Sequence, residues 1–173
     1  RRQPAAQRAD RGYAGRAGCG QPPGNQPCVG GCHPPQSGSG KADYPSFFSD
    51  EIICQWLKIV AKHYERTLGS LNFIFCDDEY ILSVNRQYLQ HDYYTDVITF
   101  DYCERDILSG DIFISLDTVK SNSEIFGTTY ENEFYRVVCH SVLHLIGFKD
   151  KTDPDAALMR KNENICLDLL KSV

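Results

Sequence analysis

The first 40 residues contain no Leu, Ile, Phe, Met or Trp, so any hydrophobic core must come from the rest of the chain. This segment has nine Gly, six Pro and a net charge of +4, whereas residues 41–173 carry 13 basic and 22 acidic side chains. A segment of that composition cannot bury enough apolar surface to offset the entropy of ordering its backbone. We therefore predict a disordered extension over residues 1–40 and one folded domain over residues 41–173.

Two classes of protein are excluded by the pattern of apolar residues and a third by the cysteines. No run approaches the ~18 apolar residues that a membrane span needs, and no apolar segment follows the Arg-rich start, as a secretory signal would require. An odd, dispersed set of cysteines in the predicted domain is typical of buried thiols in a reducing compartment, not of a disulfide framework. These are Cys54, Cys76, Cys103, Cys139 and Cys166.

The extension also holds three cysteines and a histidine, in the pattern C-x8-C-x3-C-H. This spacing matches no common zinc motif, and the surrounding residues offer nothing to pack around an ion. We therefore regard a metal site in the extension as the minor alternative to disorder. The residues concerned are Cys19, Cys28, Cys32 and His33.

The hydrophobic pattern of residues 41–173 predicts an α+β domain. Short, apolar, β-branched or aromatic runs predict strands at residues 71–76, 96–102 and 110–115. Helical periodicity predicts a helix after Ser49, one after Asp77, one from Asp117 to Gly127, one from a Thr128 capping box to Gly147, and one after Thr152 or Asp153. We expect Gly69 to end the first helical unit. The order α-β-α-β-β-α-α-α, with the last two strands antiparallel, indicates a small mixed sheet covered by helices.

One segment of the fourth helix carries the clearest chemical signal, VVCHSVLHLIGFKD at residues 137–150. Two histidines four residues apart, His140 and His144, project from one face of a helix, as two ligands of one metal ion would. Gly147 then breaks the helix and lets the chain bring Asp150 back toward the same point. Two imidazoles, one carboxylate and an open position make a catalytic type of zinc site.

Neighbouring residues limit what this site can be, although an H-x-x-x-H pair alone also occurs in ordinary surface or core positions. Zinc peptidases of the H-E-x-x-H type have a Glu directly after the first His, where this chain has Ser141. Cys139 is rotated off the histidine face, so we do not propose it as a ligand. Arg136 lies one turn before His140 and could contact a phosphate, or instead form an ion pair with Glu133 or an i+4 neighbour.

Three blocks together resemble the YbeY family of rRNA maturation endoribonucleases, over roughly residues 44–172. The family's last motif, H-G-x-L-H-L-x-G-Y-x-(D)-H, corresponds to HSVLHLIGFKD at residues 140–150. Two further blocks agree in order and spacing: VNRQY at 84–88 with TDVITF at 95–100, and GDIFIS at 110–115. The resemblance implies one zinc ion held by the last motif, a cytoplasmic location and action on ribosomal RNA precursors.

The sequence departs from the family pattern at four positions. The third ligand is Asp150 where the family usually has His, a change that zinc tolerates because carboxylate oxygen binds at a similar distance. Ser141 replaces a Gly, and Tyr94 replaces a Pro. Leu89 stands where the family commonly has an Arg, so a role of that Arg toward the RNA phosphate would have to fall to another residue; Arg86 and Arg136 are the candidates.

The leading hypothesis from the sequence is therefore a zinc-dependent endoribonuclease that cleaves single-stranded RNA in maturation of the small-subunit rRNA 3′ end. A non-catalytic ribosome-assembly factor with a structural zinc, bound to rRNA or a small-subunit protein, is the main alternative. A hydrolase of another substrate fits the open metal position equally well. No general base can be named, and we expect Asp96 and Asp111 to be structural, through hydrogen bonds to nearby backbone N–H groups.

The motif makes a direct prediction about His144. Substituting His144→Ala should abolish metal binding and leave the helix content nearly unchanged, because a ligand to a catalytic ion is not needed to hold the domain together. Circular dichroism and metal analysis of the purified variant test this. Global unfolding of the variant would instead identify the site as structural.

Overall fold

The computed structural model describes residues 12–16, 32–37 and 45–173, with side chains described from residue 45 onward. This region contains five strands and five α-helices, and its last three elements are helices. The strands are β1 (Gly12–Arg16), β2 (Cys32–Ser37), β3 (Thr67–Cys76), β4 (Val97–Asp101) and β5 (Ile107–Ser115). The helices are α1 (Asp50–His63), α2 (Asp78–Val84), α3 (Leu116–Phe126), α4 (Tyr130–Ile146) and α5 (Asp153–Leu170), and α2 continues as a π-helical turn over Asn85–Leu89.

The sheet is mixed, as the sequence predicts, with strand order β1-β4-β5-β3-β2. Its centre consists of β5, which is antiparallel to β4 and parallel to β3. This confirms the α+β fold class and the antiparallel pairing of the last two predicted strands. The predicted helices and strands of residues 45–173 all occur, in the predicted order.

Two short strands precede this domain. β1 pairs in parallel with β4, and β2 pairs in parallel with β3, so they form the two edges of the sheet. Both belong to the segment 1–40 for which the sequence predicts disorder. The other residues of that segment lie outside the described part of the chain, as do Cys19 and Cys28 of the tail pattern. The domain boundary at residue 40 stays a prediction.

Side-chain caps fix where the helices begin, because the first backbone N–H groups of a helix need acceptors. Ser49 caps α1, Asp77 caps α2 and Thr152 caps α5, all as the sequence indicates. Two predicted starts were wrong: α3 is capped by Ser115, before Asp117, and α4 by Thr129, which accepts from the Asn132 N–H. None of the described helices is both long and apolar enough to cross a membrane.

The first predicted strand, expected at residues 71–76, begins earlier, at Thr67. Gly69 does not end the first helical unit, because α1 ends at His63 and Gly69 lies inside β3. A side-chain carbon at Gly69 would come within 2.5 Å of Ser109 Oγ, and the register of β3 with β5 shifts between Leu68 and Leu71. Glycine is needed here for close approach of two strands at an irregularity, not for a turn.

The helices divide between the two faces of the sheet. One face packs against α1, α3, α4 and α5 around a core that includes Trp56, Phe75, Phe134 and Leu143. The other face is covered by α2 and the π-helical turn over a smaller cluster. Helix α4 is buried along most of its length, including both of its histidines. Its carboxyl-terminal end reaches β5, where Leu145 lies against Gly110.

The cysteines of the described domain are free thiols, as the sequence predicts. Cys76, Cys139 and Cys166 are buried, and Cys54 and Cys103 are partly exposed. Burial, together with the nearby Asp77 and Asp78 carboxylates, raises the pKa of the Cys76 thiol to about 12. Such a thiol stays protonated and unreactive near neutral pH and behaves as a small apolar side chain.

The aromatic centre of the core gives a stability prediction. Phe134 is fully buried and meets the rings of Phe47, Phe48 and Phe75 edge-on, at centroid distances of 5.6, 6.2 and 5.5 Å. Phe134→Ala should lower the free energy of unfolding by about 3–5 kcal/mol, because it leaves a cavity. The matched control Ile125→Ala, at a side chain that is 63% exposed, should change it by less than about 0.5 kcal/mol. Denaturant unfolding measures both; equal effects would contradict this core assignment.

Candidate metal centre

The last two turns of α4 hold the two histidines of the sequence motif. His140 and His144 are both buried, and their Nε2 atoms lie 2.9 Å apart. Residues four apart lie on one helix face, so the helix itself sets this spacing. The imidazole rings are nearly perpendicular, with centroids 4.5 Å apart. Both Nε2 atoms therefore face one common point.

The chain after α4 brings a carboxylate to the same point. Gly147 has a positive φ of 121° and ends the helix, and its N–H donates to Leu143 and His144 carbonyls. The reversal that follows places Asp150 Oδ2 3.3 Å from His140 Nε2 and 3.5 Å from His144 Nε2. The structure thus brings together the three residues named from the sequence, by the helix break that the sequence analysis invoked.

Hydrogen bonds on the far side of each ring determine which nitrogen carries the proton. His140 Nδ1 lies 2.8 Å from Glu163 Oε1, and His144 Nδ1 lies 2.9 Å from the Phe148 carbonyl. A backbone carbonyl and a carboxylate, such as Glu163 paired with Arg136, can only accept, so each Nδ1 is the N–H donor. In the neutral imidazoles, the two Nε2 lone pairs then point at each other and at the Asp150 carboxylate.

This arrangement suits a divalent cation. Ligand atoms of His140, His144 and Asp150 all lie within 4.8 Å of one another. Of the residues that the structure describes, these form the group of three or more potential ligands that could hold a metal ion. Two nitrogen lone pairs and one carboxylate oxygen that converge on a point repel one another unless a positive charge lies between them. Two imidazoles, a carboxylate and room for a further ligand are typical of catalytic zinc.

Asp150 is ionised in this environment. Its partial burial by itself raises the pKa of the carboxyl group, but when both imidazoles also carry a proton on Nε2 and no ion is bound, hydrogen bonds from His140 and His144 and their positive charge outweigh that effect. The net result is a pKa well below the usual range of an aspartate. Asp150 therefore contributes a full negative charge to the centre, which a neutral histidine in the same position would not do.

Sequence reasoning missed Glu163 of α5. Its side chain is 1% exposed, and its two oxygens contact His140 and Arg136. The signal was present: Glu163 lies three and four residues from the buried Cys166 and Met159, a spacing that places it on the inner face of α5. A carboxylate on a buried face needs polar partners from a neighbouring helix.

The two arginines considered for phosphate binding have protein partners. Arg136 Nη1 lies 3.0 Å from Glu163 Oε2 and 3.0 Å from Asn164 Oδ1, and its side chain is 14% exposed. The ion pair is thus with α5 and not with Glu133 or an i+4 neighbour. Arg86 pairs with Asp92 at the surface, with 58% of its side chain exposed. A phosphate contact by either arginine stays a prediction.

The remaining residues singled out from the sequence lie outside the three-residue cluster. Asp96 is buried and accepts from Asn122 Nδ2, while Asp111 accepts from Asn72 Nδ2 and the Tyr102 hydroxyl. These bonds join the carboxylates to side chains, and the expected bonds of Asp96 and Asp111 to nearby backbone N–H groups stay a prediction.

The two neighbours of the first histidine also point away from the centre. Ser141 Oγ donates to the Val137 carbonyl, and Cys139 Sγ contacts the carbonyls of Arg136 and Glu163.

Comparison with known proteins assigns the chain to a family. The family model "Endoribonuclease YbeY" matches residues 39–171. Proteins with that name are 56% identical over 117 residues in Bacteroides fragilis (68% of this chain, 84% of the relative) and 48% identical over 120 residues in Porphyromonas gingivalis (69% and 80%). The solution structure of TM1509 from Thermotoga maritima has a TM-score of 0.57 and 27% identity, covering 78% of this chain and 86% of that one.

These matches show both the class of enzyme to which the chain is related and the family to which it belongs. The chain is related to endoribonucleases, hydrolases that act on RNA, over nearly all of its described domain. It belongs to the endoribonuclease YbeY family. The resemblance inferred from the three sequence blocks is thereby confirmed.

The geometry predicts how much Asp150 contributes to metal binding. Asp150→Asn should weaken Zn²⁺ affinity by at least about 100-fold, because loss of an outer partner alone costs about 10–100-fold. Asp150→His should retain tight binding, since imidazole is also a zinc ligand. Competition with a chromophoric chelator measures both. Asp153→Asn, an equal loss of charge at an exposed position of α5, is the control and should bind like the wild type. Similar affinities for all four proteins would exclude Asp150 as a ligand.

Proposed function

We propose that this protein is a zinc-dependent endoribonuclease specific for single-stranded RNA, which acts in ribosomal RNA maturation at the 3′ end of the small-subunit rRNA. One observation supports this most: in a chain of an endoribonuclease family, His140, His144 and Asp150 converge on one point. His140, His144 and Asp150 would hold one Zn²⁺ per chain. A cytoplasmic location and contact with the small ribosomal subunit or its proteins belong to the same proposal.

The ligands suit hydrolysis more than structural metal binding. Structural zinc sites usually have four protein ligands, whereas three protein ligands leave a position for water or substrate. When bound, the ion would polarise a phosphoryl oxygen and lower the pKa of coordinated water. The protein would hold both imidazoles in one tautomer, through Glu163 and the Phe148 carbonyl, so that both Nε2 atoms face the ion beside the Asp150 carboxylate.

Electrostatics near the site supports an RNA substrate despite the acidic domain. Residues 41–173 have a net charge of −9, which repels phosphate at long range. Local charge governs docking, however, and exposed Lys149 and Lys151 lie on either side of Asp150 in the same loop. Arg86 is an exposed arginine that could take the place of the family Arg, since position 89 is a leucine that packs against the smaller cluster.

A non-catalytic ribosome-assembly factor is the second candidate. The observation in its favour is the loss of that Arg, combined with the engagement of Arg136 by Glu163 and Asn164. In this case the zinc would order the end of α4 and the loop after it. Such a protein would bind rRNA or the small subunit and show no turnover. A hydrolase of another substrate would instead act on small esters or amides.

The cleavage experiment uses the full chain as wild type, His144→Ala and His63→Ala. His63 is an exposed histidine of α1, so its variant controls for loss of an imidazole. Each protein is incubated with a structured rRNA fragment that has a single-stranded 3′ extension, and with the same RNA after annealing the extension to a complementary strand. We expect wild type and His63→Ala to cut the RNA whose extension is single-stranded and not the annealed RNA. We expect His144→Ala to cut neither RNA.

Other outcomes decide between the candidates. Equal cleavage by wild type and His144→Ala would indicate a contaminant and remove support for a metal-centred nuclease. No cleavage by any variant, with retained binding to small ribosomal subunits, would favour the assembly factor. Turnover of a small ester that is lost in His144→Ala, without RNA cleavage, would favour the unrelated hydrolase.

A further inference from the structure

We infer that Glu163, held in place by Arg136, is a positioning residue of the metal centre: it orients His140 and strengthens it as a ligand. This inference rests on the proposed zinc site and extends it to a second helix. It also gives Arg136 a role that differs from contact with an RNA phosphate.

The geometry of Glu163 leaves it little freedom. One carboxylate oxygen, Oε1, lies 2.8 Å from His140 Nδ1, and the other, Oε2, lies 3.0 Å from Arg136 Nη1. Rotation of the carboxylate would break both contacts. Since Arg136 and His140 are four residues apart on α4, one carboxylate from α5 joins two consecutive turns of the helix.

Arg136 explains how an ionised carboxylate can lie at this depth. A buried charge is unfavourable unless a partner of opposite charge and hydrogen bonds compensate for its lost hydration. Arg136 provides that partner, and Arg160 Nε lies 3.8 Å from the same oxygen, at the edge of the pair. Asn164 Oδ1 accepts a further hydrogen bond from Arg136 Nη1 and fixes the guanidinium against α5.

The two histidines differ in what holds them. His144 donates to the Phe148 carbonyl, a neutral group in the turn that follows α4, so its orientation is set locally. His140 donates to a carboxylate on another helix. A negatively charged acceptor at Nδ1 increases electron density at Nε2 and makes the imidazole a stronger ligand. Metal affinity should therefore depend on α4–α5 packing through His140 and not through His144.

Arg136 fits a positioning role better than a substrate contact. Its guanidinium faces Glu163 and Asn164, both on α5, and most of its side chain is buried. Both Nη1 hydrogens are used in these contacts, so a phosphate would have only the other N–H groups of a side chain that is 14% exposed. The same residue therefore serves the centre by fixing the carboxylate that orients His140.

The test compares zinc affinity among full-length wild type, Glu163→Gln, Glu163→Ala, Arg136→Met and the double variant Glu163→Gln/Arg136→Met. Asp168→Asn is the matched control, an equal loss of charge on the same helix at an exposed side chain. Chelator competition gives the affinities, and thermal unfolding of the metal-free proteins measures stability separately. All affinities are measured at a temperature where every variant is folded by circular dichroism.

We expect Glu163→Ala to lower Zn²⁺ affinity by about 10–100-fold, with Glu163→Gln in between because its amide oxygen can still accept from Nδ1. Arg136→Met should lower the affinity in the wild-type background and much less in the Glu163→Gln background, since it acts through Glu163. Asp168→Asn should bind zinc like the wild type. The visible absorption of the Co²⁺-loaded protein should change in the Glu163 variants and not in the control.

A purely structural role gives a different pattern, in which melting temperatures fall while zinc affinities and Co²⁺ spectra stay at wild-type values. That pattern would overturn the inference, and so would additive losses in the double variant. The proposed metal site would still stand after either result, provided that the wild type binds zinc and His144→Ala does not. Failure of the wild type to bind zinc would overturn the metal site and this inference together.

Discussion

Burial of α4 is the constraint on which the rest of the structure depends. The helix lies between the sheet and its neighbouring helices, so nearly every side chain from Phe134 to Leu145 is enclosed. Apolar residues meet this condition by packing, but His140 and His144 can do so only if each ring nitrogen has a partner. The partners at Nδ1 come from α5 and the turn after Gly147. The Nε2 atoms are left to face each other and Asp150, so the same burial that stabilises the domain creates a point suited to a cation.

The sheet fixes where that point lies. Gly110 of β5 lies so close to the Phe100 carbonyl that a side-chain carbon would approach it within 2.4 Å, and Leu145 packs against the same glycine. Because β4, β5 and the end of α4 approach one another closely, the chain reversal at Gly147 lies at the edge of the core. Asp150 is consequently partly exposed while the histidines are buried. Of the three residues, Asp150 is therefore the one most accessible to solvent, with 25% of its side chain exposed.

Local signals in the sequence were enough to predict much of this arrangement. Helical periodicity, caps such as Ser49 and Thr152, and the glycine at 147 specify the elements, and the i, i+4 spacing specifies the histidine pair. The predictions that failed concern features that depend on tertiary contacts. Gly69 resembles a helix end in sequence but allows two strands to approach, and Thr129 and not Thr128 meets the first free N–H groups of α4. Glu163 could be placed on an inner face, but its contact with His140, 23 positions away, depends on how α4 and α5 pack.

Aspartate at position 150 changes the charge that the centre would present to RNA. With both imidazoles neutral, a divalent ion bound to three histidines would carry a charge of +2, whereas Asp150 reduces the sum to +1. Glu163 and Arg136 cancel each other and add nothing to it. Because the domain around the centre is acidic, the attraction of a phosphate would rest more heavily on Lys149 and Lys151. Contacts of that kind are screened by salt, so association with RNA should weaken steeply as ionic strength rises.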